Sequence, residues 1–241
     1  MNLFKNYIIK DQMWVFIPAR SGSKSIKNKN IKNLNGYPLI YYTLKTAKKL
    51  KFIKKIVFSS DSKKYHNLAK KYAEVESHYR SKKTSKDKSS DFDVFKEYIY
   101  QKLKKKEKIP EFFFHLRPTT PLRKIITLNK IKNFFLKNTG KFSSLRSVTE
   151  LENSGYRTVI TKNRKLYSLF FKSFKLDQIN KARQLFPKTF IPNGYADIIK
   201  TENIFKGYIH GNSVGCFVTK EFNSDIDNIE EFKATENFLQ K

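Results

Sequence analysis

Two groups of side chains have types and spacing that could do chemistry. The first is Pro18-Ala-Arg-Ser-Gly-Ser-Lys-Ser25. Its small residues let backbone N–H groups approach phosphate oxygens, while Arg20 and Lys24 supply positive charge. The loop lacks the ending of a Walker A motif, and a plain surface turn would read the same way. The second group is Asp225 and Asp227. Alternating along an extended segment, the two carboxylates point the same way. That suits a Mg²⁺ ion, which takes one or two carboxylates together with substrate phosphates and water. The competing reading is a pair of caps before the last helix. Asp91 and Asp93 repeat the spacing and read as cap and first-turn charges of a helix over 92–106. His66, His78, His115 and His210 show no metal-ligand spacing, and His115 reads as a packed core histidine. The lone Cys216 excludes a disulfide framework and a multi-cysteine metal site.

The elements that must position these groups follow from apolar runs. Residues 14–17, 56–59 and 112–116 read as buried strands, continuous rather than alternating as in parallel sheets. Shorter strands are expected at 75–79, 143–148 and 214–219. Helices are expected over 38–50, 63–73, 92–106 and 124–138. Asn228 and Glu231 form a capping box opening a final helix to about Leu239. Strands alternating with helices predict an α/β sheet with helices on both faces. The loops beginning at Pro18, Ser59, Arg117 and Thr219 then share one cleft beyond the strands' carboxyl ends. A β-hairpin at 156–160 and 165–170 breaks this rhythm and predicts an inserted arm.

The 241 residues carry a formal net charge of +29, with 39% hydrophobic residues, enough for one packed α/β domain rather than a disordered chain. All but eight of the 50 basic residues are lysine, and Gly and Pro are scarce. Lysines spread along solvated helix faces read as compositional drift; a selected basic surface is the alternative. No apolar stretch approaches the length of a membrane span, and residues 1–14 lack a signal-peptide core. A soluble protein of the cytoplasm, without membrane insertion, is expected.

In order and spacing, the segments resemble the sugar-acid cytidylyltransferases, which make CMP-sialic acid and related CMP-nonulosonates. Residues 17–40 are similar to that family's opening signature, and Val57-Phe-Ser-Ser-Asp61 to its V-S-T-D. Arg80 with Asp87 and Asp93, Leu116-Arg-Pro-Thr-Thr-Pro-Leu-Arg123, and Ala182-Arg-Gln-Leu-Phe-Pro187 with Pro192-Asn-Gly194 follow. Ser224-Asp-Ile-Asp-Asn228 completes the set. The resemblance covers about residues 14–239. It implies a Rossmann-like three-layer nucleotidyltransferase fold, with a mostly parallel sheet. The core would be 1–140 with 183–241, and 141–182 an inserted dimerisation arm whose aromatics, Phe171 and Phe174 among them, face a partner. It implies a cytidylyltransferase joining CTP to a nine-carbon acid of the sialic, legionaminic or pseudaminic type, as a homodimer, for cell-surface glycan synthesis. Arg20, Ser23, Lys24, Lys29, Asn30, Arg80, Ser90 and Arg117 would hold the nucleotide. Arg183, Gln184, Asn193 and Gly194 would hold the sugar, and Asp225 and Asp227 a Mg²⁺ ion. Arg20, Lys24 and Asp227 would be catalytic.

Ser25 replaces a family glycine, Arg117 a glutamine, and Ser90 is displaced by one position from the expected hydroxyl. These departures keep a catalytically idle relative open as a reading. The other readings are the related 3-deoxy-manno-octulosonate cytidylyltransferase and a non-catalytic basic nucleic-acid-binding protein. The sequence shows no motif for specific nucleic-acid recognition.

Overall fold

A buried strand in the middle of a sheet must be apolar on both faces, and residues 13–17 meet that demand: all five are buried. Their side chains alternate between two cores. Val15 and Ile17 pack with one, Trp14 and Phe16 with the other. A computed structural model of the protein describes residues 2–170, 176–221 and 225–240. Phe171, Phe174 and Ser224 lie outside the described residues.

In chain order the strands are β1 (Ile8–Pro18), β2 (Asn33–Leu34), β3 (Tyr37–Pro38), β4 (Ile56–Ser60), β5 (Glu76–Tyr79) and β6 (Ile109–His115). They continue as β7 (Ser144–Glu150), β8 (Val159–Lys162), β9 (Lys165–Ser168), β10 (Phe190–Lys200) and β11 (Val214–Val218). The helices are α1 (Leu39–Lys48), α2 (Lys63–Lys70), α3 (Asp91–Lys104), α4 (Ile125–Lys137), α5 (Thr201–Phe205) and α6 (Ile229–Gln240). Among the described residues, seven strands form one sheet in the order β11-β7-β10-β6-β1-β4-β5. Neighbours are parallel except β10, which runs antiparallel to β6 and β7.

Helices α1, α2 and α4 supply Leu44, Ala69, Leu128 and Phe135 to the core on one face. Helices α3 and α5 cover the other with Val94, Phe95, Ile99 and Ile204. These are the three layers that the alternation of strands and helices predicts. A third, small cluster joins Ile26, Leu34, Leu39, Ile226 and Phe232. It seats α6 and the segment before it against the loop that follows β1. The capping box of α6 is present: Glu231 N–H donates to Asn228 Oδ1, and Glu231 Oε2 accepts from Asn228 N–H.

Strand β10 departs from the expectations. Asn193-Gly194 has the residue types of a turn, yet both lie inside an 11-residue strand in the middle of the sheet. The pairing of β10 with β7 shifts register between Pro192 and Asp197. Within that irregular stretch Gly194 sits in the left-handed region at φ 66°, which glycine adopts without strain. The hairpin is shorter than expected, and β8 and β9 pair with each other alone among the described residues. Of segment 141–182, β7 belongs to the central sheet, so the excursion away from the sheet runs over 151–189.

Candidate functional site

The loops after β1, β5 and β6 and the segment before α6 meet at the carboxyl edge of the sheet around a cleft of about 550 Å³, while the loop after β4, expected to share it, only braces the first loop through Asp61. Arg20, Ser23, Lys24, Lys29 and Asn30 line it from the first loop. Arg80, Arg117, Asp225 and Asp227 line it from the others. Nine of the residues singled out from sequence thus share one cavity.

The loop after β1 is pinned at its start. Ser21 N–H and Oγ–H both donate to the carboxylate of Asp61, at 2.8 and 2.6 Å. Asn30 Nδ2 donates to the carbonyl of Arg20 at 2.9 Å. Arg20 and Lys24 both pair with Asp87, Lys24 at 2.5 Å. The hydrogen bonds from Arg20 and Lys24, helped by their charges, hold Asp87 below the usual carboxylate range. These contacts are solvent-exposed and weak, so a more highly charged anion in the cleft can replace Asp87.

Lys29 is the buried cation of the group, its side chain 10% exposed. It donates to the Ile226 carbonyl at 2.6 Å and to Asp227 Oδ1 at 3.0 Å. Ile226 N–H donates to the Thr119 carbonyl. The 225–227 segment is therefore laced to both sides of the cleft.

Among the described residues, one oxygen of Asp225, Oδ1, is buried without a hydrogen-bond partner, as is Thr120 Oγ1 nearby. A buried carboxylate oxygen left unpaired is costly unless a cation meets it. Two carboxylates on one segment, one with an orphaned oxygen and both lining a cleft rich in Arg and Lys, fit a hard divalent cation with oxygen ligands. Among the described residues no cluster of three or more His, Cys, Asp or Glu could hold a metal. Any such ion would share its shell with substrate and water.

Gly194 keeps this corner open. A Cβ there would stand 2.9 Å from Thr120 Oγ1 and 3.2 Å from Asp225 Oδ2. Gly194→Ala is expected to lose about 1–2 kcal/mol to its left-handed backbone alone, visible as a lower midpoint of thermal unfolding. An unchanged midpoint would show that the irregular stretch relaxes.

Four residues, two lining the cleft and two behind it, form a charge chain that the sequence did not reveal. Arg117 donates to Asp91 at 2.7 Å and to Asp197 at 3.0 Å. Asp197, only 1% exposed, also accepts from Arg146 Nε at 3.3 Å. Burial opposes ionisation of Asp91, but the Arg117 and Arg80 charges bring it down to about 2. His115 beside it is neutral, pushed down to about 3 by burial. The reading of His115 as a packed core residue holds, for it is fully buried.

Asp91 thus lines the cleft on an ion pair instead of capping α3. The cap is Ser90, whose Oγ accepts from Asp93 N–H, with Asp93 returning the bond. Ser90 does not line the cleft; Ser89 does.

Arg183 and Gln184 line a different cavity, of about 550 Å³, with Glu150, Phe186 and Lys188 in the excursion after β7. Asn193 is buried and bonded to Ser147, Thr149 and Thr219. It ties three chain segments together behind the metal-fitting corner. Arg123 is spent in the same way, donating to the carbonyls of Arg117, Gly194 and Tyr195.

A family model described as cytidylyltransferase matches residues 14–238. The N-acylneuraminate cytidylyltransferase of Escherichia coli is 27% identical over 237 residues, 97% of this chain and 53% of that protein. The pseudaminic acid cytidylyltransferase of Campylobacter jejuni is 32% identical over 160 residues, 66% of this chain and 68% of that one. The chain spans about half the length of several relatives it matches. A solved structure titled as CMP:2-keto-3-deoxy-manno-octonic acid synthetase complexed with CTP superposes with a TM-score of 0.67. It is 10% identical, with 95% of this chain and 98% of the other covered. At that identity the likeness speaks for the fold alone. No described helix is long and apolar enough to cross a membrane.

Proposed function

We propose that this chain, which belongs to the cytidylyltransferase family, joins CTP to a nine-carbon acidic sugar, giving the CMP-sugar and pyrophosphate. One observation carries the reading. The cations of the first loop and an acidic pair with an orphaned oxygen face each other across one cleft at the carboxyl edge of the sheet. A triphosphate needs the first, and a divalent ion bridging it to the protein needs the second.

In this reading Arg20 and Lys24 leave Asp87 for the triphosphate and neutralise it. Ser23 and the loop's backbone N–H groups complete the cradle. Lys29 and Asn30 act through the loop and the carboxylate segment, holding both in register. Arg80 turns its guanidinium to the base. The sugar's anomeric oxygen bonds to the α-phosphorus as the bond to pyrophosphate breaks. Its proton leaves to a base in the cleft, where Asp225 and Asp227 set the negative potential. A bound Mg²⁺ would neutralise charge on the phosphates and make the sugar hydroxyl more acidic. The protein's share is positioning and charge compensation.

The excursion after β7 bears exposed apolar side chains, among them Ile160, Leu166, Tyr167, Phe170 and Leu185. That supports a homodimer in which Arg183 and Gln184 meet the sugar. The cytoplasm, where CTP is made, is the proposed site of action.

Pyrophosphate release with CTP and Mg²⁺ tests the reading across N-acetylneuraminate, legionaminate, pseudaminate and 3-deoxy-manno-octulosonate. Release with one nine-carbon acid is the expected result. Release with 3-deoxy-manno-octulosonate alone would move the enzyme to the eight-carbon branch. Failure to bind CTP would sink it, and steeply salt-dependent binding of bulk RNA would then favour a nucleic-acid role.

A further inference from the structure

We propose that Ser59 and His78 are positioning residues for Arg80, fixing the direction of the guanidinium offered to the nucleotide's base. The inference rests on the CTP reading above. Strands β4 and β5 pair in parallel with Ser59 opposite His78. Both are buried, Ser59 at 0% and His78 at 2% exposure. Arg80 is the first residue past β5, its backbone N–H donating to the Ser60 carbonyl at 3.0 Å. Its side chain lines the cleft, and its Nε donates to Ser59 Oγ at 3.0 Å.

Hydrogen-bond arithmetic gives the chain a direction. Ser59 Oγ lies 2.9 Å from His78 Nδ1. Arg80 Nε can only donate, and among the described residues Nδ1 is the one acceptor within reach of the Ser59 hydrogen, so the hydroxyl donates to Nδ1. An accepting Nδ1 places the ring proton on Nε2, which faces Glu97 Oε2 at 3.8 Å. Burial favours the neutral ring this requires, pushing His78 down to about 4. Phe16 and Tyr98 flank the ring, at centroid distances of 6.2 and 5.3 Å. Glu97 is held in turn by Thr84 Oγ1 and Ser81 N–H. The direction is therefore Arg80 to Ser59 to His78, with no mobile surface group among them.

What remains of Arg80 is its pair of terminal nitrogens, which make no hydrogen bond among the described residues. A guanidinium held at Nε presents them as a fixed fork. Two parallel N–H donors match two adjacent acceptors, as N3 and O2 of cytosine are. Uracil carries a hydrogen on N3 and mismatches the fork. Tension in this chain therefore sets selectivity for cytosine over uracil, beyond mere affinity.

The test pairs a spectroscopic readout with a kinetic one. Nitrogen-15 NMR of the unliganded wild-type protein at neutral pH should show His78 as the Nε2–H tautomer; the Nδ1–H tautomer would overturn the proposal. Ser59→Ala removes one oxygen from a site that alanine fits. It is expected to raise KM for CTP about tenfold, to change kcat less than twofold, and to lower CTP-over-UTP preference about tenfold, the worth of one charge-assisted hydrogen bond. His78→Leu should move the same quantities in the same direction. His78→Asn, which restores an acceptor near the Nδ1 position, should recover most of the loss. Unchanged KM and preference in Ser59→Ala, or a loss tracking a lowered unfolding midpoint in every variant, would overturn the positioning role. A wild-type protein that binds no CTP would overturn the parent reading instead, and the tautomer measurement would still decide whether the hydrogen-bond chain exists.

Discussion

Asp225→Asn is expected to lower turnover about a thousandfold, at the upper end of what one preorganised electrostatic contact supplies, without lowering the midpoint of thermal unfolding. The substitution keeps shape and removes one charge. In the protein as it stands, Asp225 Oδ1 is buried and unpaired among the described residues, and a Cβ at Gly194 would stand 3.2 Å from Oδ2. That arrangement serves no fold-stabilising purpose, since a buried acceptor without a donor costs free energy. It makes sense if a cation completes it. A neutral amide there relieves the cost and forfeits the cation, so the midpoint should hold or rise while turnover collapses. Chelation of divalent ions should produce the same loss in the wild type, reversed by added Mg²⁺, and excess Mg²⁺ should not rescue the variant. Asp227 should matter less. Its side chain is 74% exposed and already shares its charge with Lys29. A variant at Asp225 that keeps wild-type turnover would remove the metal reading from this corner.

The parts of the molecule that were legible from sequence are those whose causes are local. The runs at 14–17, 56–59 and 112–116 are apolar because they are buried on both faces, and each became a central strand. The capping box at Asn228 and Glu231 needs only three residues of separation. The cleft was legible because its loops all leave the same edge of the sheet. Strand β10 was not. Its left-handed Gly194 and the neighbouring Asn193 carry the marks of a turn, and Asp197 is a charge where a central strand should be apolar. What cancels that charge lies 80 and 51 residues away, in Arg117 and Arg146. Asp91 was misjudged for the same reason. Helix position suggested a cap, but Ser90 takes that role and Asp91 answers to Arg117. Arg117 stands where the related family has glutamine, and its two carboxylate partners show how a cation is accommodated there.

That buried chain leads to the largest expected effect on stability. Asp197→Ala should destabilise the fold by about 3 kcal/mol, the lower end for breaking a buried ion pair. The lower end applies because Arg117 and Arg146 are 22% and 30% exposed and regain some water. For a chain of this size the loss corresponds to a fall of about 6–12 °C in the unfolding midpoint. Acid should reveal the same network. Burial would raise the Asp197 carboxyl, but the Arg117 and Arg146 guanidinium groups outweigh it and hold it below the usual range; Asp91 sits at about 2. Groups depressed in the folded state lend stability above their unfolded values. That stability is present above about pH 4 and lost as pH falls toward 2. Thermal unfolding of the wild type should therefore weaken steeply across that window. Asp197→Ala should begin lower and lose less, because one of the two depressed carboxylates is gone. Equal midpoints at pH 7, or parallel acid slopes, would mean that Asp197 is not where the charge of Arg117 and Arg146 is balanced.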